Sequence, residues 1–301
     1  MPSAATADLL SPETLAQIDS YSLVARTVVE GFISGLHRSL YNGFGSEFFQ
    51  YRTYVPGDDP KYVDWKVYAR QNRFYTKVFQ EETNMNCCLV VDTSSSMGYQ
   101  GKRAPCTKLR YAAMVTACLA YLASRQGDNV GLYTYSDTVE TALPPGQKTG
   151  GLHRLLATLP KLHAKGTAQP DVVANCLAED MQRRGLVILL SDFLGGTDTI
   201  RQALKRFRFA NHECVVLQIL DPDELDFPFT RTTRFVDSET GREVATAPQL
   251  VRQHYLDEMQ TFLEDIRLCC LELQVDHLLM PTSECLGNTL AAYLHRRESM
   301  A

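Results

Sequence analysis

Four short apolar runs, each the length of one strand, set the architecture open to this 301-residue chain. They are Cys87–Val91, the weaker Val130–Tyr135, Leu186–Leu190 and Cys214–Leu220. All are apolar on both faces, as strands covered from both sides must be. Helix-period stretches separate them: Thr107–Arg125, Leu152–Leu159, Val172–Arg183 and Thr199–Arg208. Parallel strands need crossovers of that size, so the alternation predicts an α/β fold with a doubly wound, mostly parallel sheet. A long helix over Gln249–Cys270, a strand near Val275–Met280 and a last helix over Leu286–Arg297 extend the pattern. The turn Asp237–Arg242, between Arg234-Phe235-Val236 and Glu243-Val244, predicts a small hairpin.

The front of the chain has another rhythm. Ser11-Pro12-Glu13 is a helix start, a hydroxyl cap followed by proline at the first helical position. Val28, Val29, Phe32, Ile33, Leu36 and Leu40 then recur at helical spacing, until Gly43 and Gly45 break the pattern. From Glu47 to Glu82 aromatics and charges mix around the turn Pro56-Gly57-Asp58-Asp59-Pro60, and Phe74–Phe79 reads as a strand. Disordered tails are poor in aromatics, so this is a folded extension. The expected organisation is an amino-terminal extension over 1–83 and an α/β domain over 84–301, with a hairpin insertion at 222–248.

Composition excludes several function classes. At 45% hydrophobic and 22% charged residues the chain is ordinary globular material, and its net charge of -5 argues against a polyanion binder. No run reaches the ~18 apolar residues of a membrane helix. The longest charge-free apolar run, Tyr111–Ser124, reads as a buried helix. Nine cysteines with no C-x-x-C pair and no secretory signal read as small packed hydrophobes in a reducing compartment, hence a cytoplasmic chain. Arg183-Arg184, Lys205-Arg206-Arg208 and Arg296-Arg297 fall at expected helix C-termini, where they complement the helix dipole. There is no G-x-x-x-x-G-K-[ST], no H-E-x-x-H and no G-x-S-x-G.

The chemistry gathers where strands end. Val91-Asp92-Thr93-Ser94-Ser95-Ser96 closes the first apolar run and offers one carboxylate and two hydroxyls, hard donors suited to Mg²⁺ or Mn²⁺. Ser191-Asp192 closes a second run, and Gly166-Thr167 supplies a further hydroxyl from a loop before a helix. Each alone is an ordinary cap or turn. Together, at the carboxyl edge of one sheet, Asp92, Ser94, Ser96, Thr167 and Asp192 form a candidate metal site. One carboxylate and neutral hydroxyls leave a divalent cation under-neutralised, ready for a Glu or Asp carboxylate from a protein partner. That is a docking device and needs no bond-breaking residue, so the chain is expected not to be an enzyme.

Those five residues resemble the metal-ion-dependent adhesion site (MIDAS) of von Willebrand factor A domains. Upstream, Gly43-x-Gly45-x-Glu47-Phe48, Arg52-x-Tyr54, Gly57-Asp58-Asp59, Val63-Asp64-Trp65 and Ala69-Arg70 resemble the bacterial domain-of-unknown-function 58 family. The hairpin turn and the long helix after it fit the same family. The resemblance implies a cytoplasmic, non-enzymatic protein working with a MoxR-type AAA+ ATPase or its client. Arg52 and Arg70 set against Asp58, Asp59 and Asp64, with Trp65 buried, read as an ion-pair lattice fastening the front segment. The insertion Gln100–Thr107 lies beside the metal loop.

The enzymatic rival is a Mg²⁺-dependent phosphohydrolase of haloacid dehalogenase type with Asp92 as nucleophile. Such chemistry needs a second acid two residues on, and Ser94 stands there. A scaffold whose site binds no metal is a third reading.

Overall fold

The structure, a computed structural model, describes residues 12–36, 50–53, 67–68, 70, 74–78, 85–146 and 150–287. The chain divides into two compact units, residues 1–35 with 85–301 and residues 36–84. In the smaller unit β1 (Gln50–Thr53) and β2 (Tyr75–Val78) pair antiparallel, with Arg52 opposite Thr76. The strand read at Phe74–Phe79 is thus β2, whereas β1 had no sequence signal. Tyr68 stacks on Phe74 with ring centroids 4.2 Å apart. Asp58, Asp59, Asp64 and Trp65 lie outside the described residues, and with them the expected ion-pair lattice.

In the larger unit six strands form one sheet: β3 (Asn86–Asp92), β4 (Asn129–Tyr135), β5 (Val139–Leu143), β6 (Gly185–Ser191), β7 (Glu213–Leu220) and β10 (Asp276–Pro281). Their order is β10-β7-β6-β3-β4-β5. Every neighbouring pair is parallel except β4 with β5. This is the expected doubly wound, mostly parallel α/β sheet. The antiparallel edge strand β5 went unread, because its burial alternates along only five residues. Such a signal is weak beside the continuous apolar runs of its neighbours. The chain winds outward from β3 in both directions, so strand order reverses between β3 and β6. Ligand crevices of open α/β sheets form at the carboxyl ends of strands at such a reversal.

Helices cover both faces. They are α1 (Pro12–Ala16), α2 (Tyr21–Leu36), α3 (Lys108–Arg125), α4 (Gly151–Thr158), α5 (Pro170–Asp180), α6 (Thr197–Phe209), α7 (Pro222–Asp226) and α8 (Pro248–Glu272). Val173 and Leu177 of α5, Leu204 and Phe207 of α6 and Ile266 of α8 share one core with Val90, Val187, Leu189 and Val216 of the sheet. Fourteen of the eighteen residues of α3 are buried, in keeping with the charge-free apolar run Tyr111–Ser124 that makes up most of it. Part of its cover comes from the front helices: Arg110 Nη2 donates to Ile18 O and Tyr121 Oη to Glu30 Oε1, while Val24, Ala25, Val28 and Val29 are buried. The hairpin is β8 (Thr233–Val236) with β9 (Glu243–Thr246), paired antiparallel.

The helix end that departs most from the sequence reading is that of α5. α5 stops at Asp180, where Met181 leaves the helix (φ −105°, ψ 83°) and sets its sulfur 2.9 Å from Cys88 Sγ in the core. Arg183-Arg184 therefore lie beyond the helix, not at its last turn. Arg184 serves instead as a cross-strand partner, donating to Glu213 Oε1 at 2.7 Å. Arg206 and Arg208 do sit in the last turn of α6. Cys88, Cys118 and Cys214 are buried in apolar packing, and burial pushes the Cys214 thiol up to about 12. Among the described residues no helix is long and apolar enough to cross a membrane. Of the helix expected over Leu286–Arg297, all beyond Gly287 lies outside the described residues.

Candidate metal centre

Asp92 ends β3 with its side chain fully buried. Two donors hold it: the Ser94 backbone N–H reaches Oδ1 at 2.7 Å, and the Ser191 hydroxyl reaches Oδ2 at 2.5 Å across the β3–β6 reversal. The first bond is an Asx turn, the local geometry an aspartate imposes on the two residues after it. It folds the loop into a single 3₁₀ turn over Ser95–Gly98. Ser94 and Ser96, two apart, thereby come onto one side with their hydroxyl oxygens 3.0 Å apart, both buried. Thr93 turns the other way, and its N–H and hydroxyl both donate to Tyr135 O.

The Thr167 loop is stapled beneath this turn. Ser95 N–H donates to Gly166 O at 3.0 Å, and Lys165 N–H to Thr93 O at 2.8 Å. Gly166 has φ +71°, and a Cβ there would collide with the Asp137 carboxylate, so the position demands glycine. Thr167 gives its N–H (2.9 Å) and its hydroxyl (2.5 Å) to Asp137 Oδ1. Those bonds hold the Asp137 carboxyl below the usual range. A hydroxyl that donates to Asp137 keeps its lone pairs available as acceptors.

Asp192 follows β6 and is also fully buried. The next residue, Phe193, sits at φ 59°, a left-handed conformation that costs a bulky side chain ~1–2 kcal/mol. Its N–H donates to Ser191 Oγ at 2.9 Å, and Leu194 N–H donates to Asp192 Oδ1 at 3.2 Å. Lys108 Nζ lies 2.8 Å from Asp192 Oδ2 and 2.6 Å from Glu224 Oε1, with the lysine side chain wholly inaccessible. Burial pulls the Lys108 amine down, but the two carboxylates outweigh it and hold it raised. Lys108 opens α3 behind its Thr107 cap, where the helix dipole disfavours a cation. Only acid partners explain a lysine in that place.

Among the described residues no Lys, Arg or His forms an ion pair with Asp92. Burial first, and the Asp192 charge second, push its carboxyl up to about 7 against the bonds from Ser191 and Ser94. The buried Tyr135 hydroxyl faces the same carboxylate and Ser191. A further carboxylate arrives from the hairpin. Glu239, at the turn between β8 and β9, lies near Ser96, Ala168 and Asp192, and burial first and the Asp192 charge second hold its carboxyl above the usual range. Its Oε1 is shielded from solvent without a hydrogen-bond partner.

The insertion at 100–107 is clamped to α7. Gly101 N–H donates to Asp221 Oδ2 at 2.7 Å and Lys102 N–H to Asp223 Oδ2 at 2.9 Å. Arg103 bonds Asp223 (2.6 Å), Asp226 (2.7 Å) and Pro222 O. α7 carries Glu224, so this loop braces the Lys108 ion pair.

Asp92, Ser94, Ser96 and Asp192 are thus brought together at the β3–β6 edge, and the Thr167 loop is bonded beneath them with its hydroxyl engaged by Asp137. Sequence reasoning missed Ser191, Lys108, Glu224 and Glu239. A lysine at the first position of an apolar helix was a signal for Lys108. The others become neighbours only through the topology. Among the described residues no three His, Cys, Asp or Glu side chains converge as a metal cage. A cation here would rely on hydroxyls and water beside few carboxylates, an all-oxygen set that fits Mg²⁺ or Mn²⁺ and does not fit zinc. The orphaned Glu239 oxygen and the uncompensated Asp92 are what such an ion would satisfy.

The family profile described as "Protein of unknown function DUF58" matches residues 50–262 of this chain. Uncharacterized proteins of Mycobacterium tuberculosis and Mycobacterium bovis are each 30% identical to it over 256 residues, 83% of this chain and 79% of theirs. The chain is also similar to the crystal structure of an aerotolerance-related membrane protein from Bacteroides fragilis (16% identity, TM-score 0.48, 70% of this chain and 99% of that one). A similar likeness holds for BatB from Bacteroides thetaiotaomicron (15% identity, TM-score 0.47, 71% and 99%).

Proposed function

We propose, from the premise that this chain belongs to the DUF58 family, that it is a non-enzymatic, metal-dependent protein-binding module. In this reading Asp92, Ser94, Ser96, Thr167 and Asp192 hold Mg²⁺ or Mn²⁺, directly or through water, and a partner approaches with a Glu or Asp side chain. The ion supplies a positive charge that a carboxylate can bridge. The protein's own residues do the rest. Ser191 and the Ser94 N–H aim Asp92, Asp137 orients Thr167, and Lys108 neutralises Asp192.

The observation that carries this reading is the buried, uncompensated Asp92 carboxylate beside Asp192, bordered by the Ser94 and Ser96 hydroxyls. Such a charge arrangement is costly in a fold that never binds a cation. Ser94 also stands where a phosphohydrolase would need its second acid, which favours binding over catalysis. The partner proposed is a MoxR-type AAA+ ATPase or its client, with the encounter in the cytoplasm. Capture of a purified MoxR-type ATPase by the immobilised chain tests this. Retention in Mg²⁺, and loss both in chelator and with Asp92→Ala, is expected. Equal retention of the ATPase by Asp92→Ala in chelator would overturn it.

A further inference from the structure

Glu239 sits far from the metal loop in sequence, yet its carboxylate lies against Ser96, Ala168 and Asp192. The hairpin is built to hold it there. Asp237 accepts from the N–H groups of Glu239 (2.9 Å) and Thr240 (3.2 Å), and Gly241 N–H donates to Asp237 O at 2.8 Å. The turn closes with Asp237 N–H on Arg242 O at 2.8 Å and with Gly241 at φ +70°. At the hairpin base Phe235 packs on Phe227 and Phe229, with centroids 5.4 and 5.2 Å apart, and Phe227 stacks on Tyr255 at 4.4 Å. Tyr255 Oη donates to Glu224 O, and Glu224 is the carboxylate that shares Lys108 with Asp192. The hairpin and the candidate metal site therefore rest on one connected set of side chains.

An exposed turn gains nothing by driving a glutamate toward the buried Asp192. Repulsion from Asp192 and the loss of water around Oε1 both oppose it. We propose that Glu239 is an internal carboxylate ligand, occupying the position that a partner's acidic side chain takes, so that the isolated chain is self-liganded and a partner must displace the hairpin tip. The inference rests on the metal-binding reading above and adds to it the regulation of the same site. The carboxylate is supplied in cis, so a partner must offer contacts beyond its own acid to compete. Chemically, one Glu–cation contact is exchanged for another and no covalent bond changes.

The test uses the full chain with Mn²⁺ as the probe, read by water-proton relaxation, which reports water bound directly to the ion. Wild type, Glu239→Gln and Glu239→Ala are compared after circular dichroism confirms an unchanged fold. Both variants are expected to bind Mn²⁺ at least about 10-fold more weakly and to show a higher relaxivity per bound ion, because water enters the vacated position. Acetate at millimolar concentration should lower that relaxivity in Glu239→Ala and leave wild type unchanged. Equal affinity, equal relaxivity and equal acetate response in all three proteins would overturn the internal ligand while leaving the metal site intact. No Mn²⁺ binding by any of them would overturn the metal-binding reading itself, a distinguishable result.

Discussion

Lys108 Nζ stands 2.8 Å from Asp192 Oδ2 with neither side chain accessible to solvent, so one buried ammonium fixes the charge balance at the edge of the sheet. It serves Glu224 as well, at 2.6 Å. Removing it strands two acids in a low-dielectric site. Lys108→Met is therefore expected to cost about 3–5 kcal/mol of stability. Adding Asp192→Asn and Glu224→Gln should recover much of that loss, because no uncompensated charge then remains. Urea unfolding of the single and triple variants measures both steps.

Asp92 presents the opposite imbalance, a buried carboxylate without a cationic side chain. Asn keeps an acceptor for the Ser94 N–H or the Ser191 hydroxyl and removes the repulsion from Asp192. Asp92→Asn is expected to raise the stability of the metal-free protein by about 0.5–2 kcal/mol, a common gain where a strained functional site is relaxed. The same variant should lose any rise in Tm on adding Mg²⁺. Thermal melts with metal and with chelator check both.

The loop before α3 depends on one glycine. A Cβ on Gly101 would stand 2.6 Å from Asp223 Oδ2 and closer still to Asp221. Gly101→Ala must push those carboxylates off the N–H groups they accept from. A cost of about 1–3 kcal/mol is expected, typical of overpacking, with Lys102 and Gly101 amide exchange accelerated.

His212, buried between α6 and β7, supplies a pH dependence remote from the site. Burial lowers its pKa from 6.5, against a smaller opposing contribution from the Met181 backbone. The unfolded chain then binds a proton more readily than the folded one. Stability from this group is complete above about pH 6.5 and is lost as pH falls through the folded value. Denaturant midpoints should decline from pH 7.5 to 5 more steeply in wild type than in His212→Gln.

Much of this was legible in the sequence for a physical reason. Strands such as Leu186–Leu190, buried on both faces, leave an unbroken apolar signature, and the residues that follow them, Asp92 and Asp192, must fall on the carboxyl edge. The loop serines follow, because an Asx turn after Asp92 is a local event. Lys108, Glu224 and Glu239 were not legible in that way. Each owes its place to packing between distant segments: α7 through the Gly101 clamp, and the hairpin tip through Phe227, Phe229 and Phe235. β5 carries little pattern because its alternating burial spans only five residues, and the end of α5 is hidden because Met181 leaves the helix to meet Cys88 in the core.

Calorimetric titration of Mg²⁺ and Mn²⁺ into the full chain, with Ser94→Ala/Ser96→Ala alongside, bears most directly on the metal reading. Saturable one-site binding by the wild type, abolished or weakened at least about 10-fold in the double variant, is the expected result. No heat of binding in wild type at millimolar metal, or identical isotherms for both proteins, would contradict a divalent ion held between Asp92 and its serines.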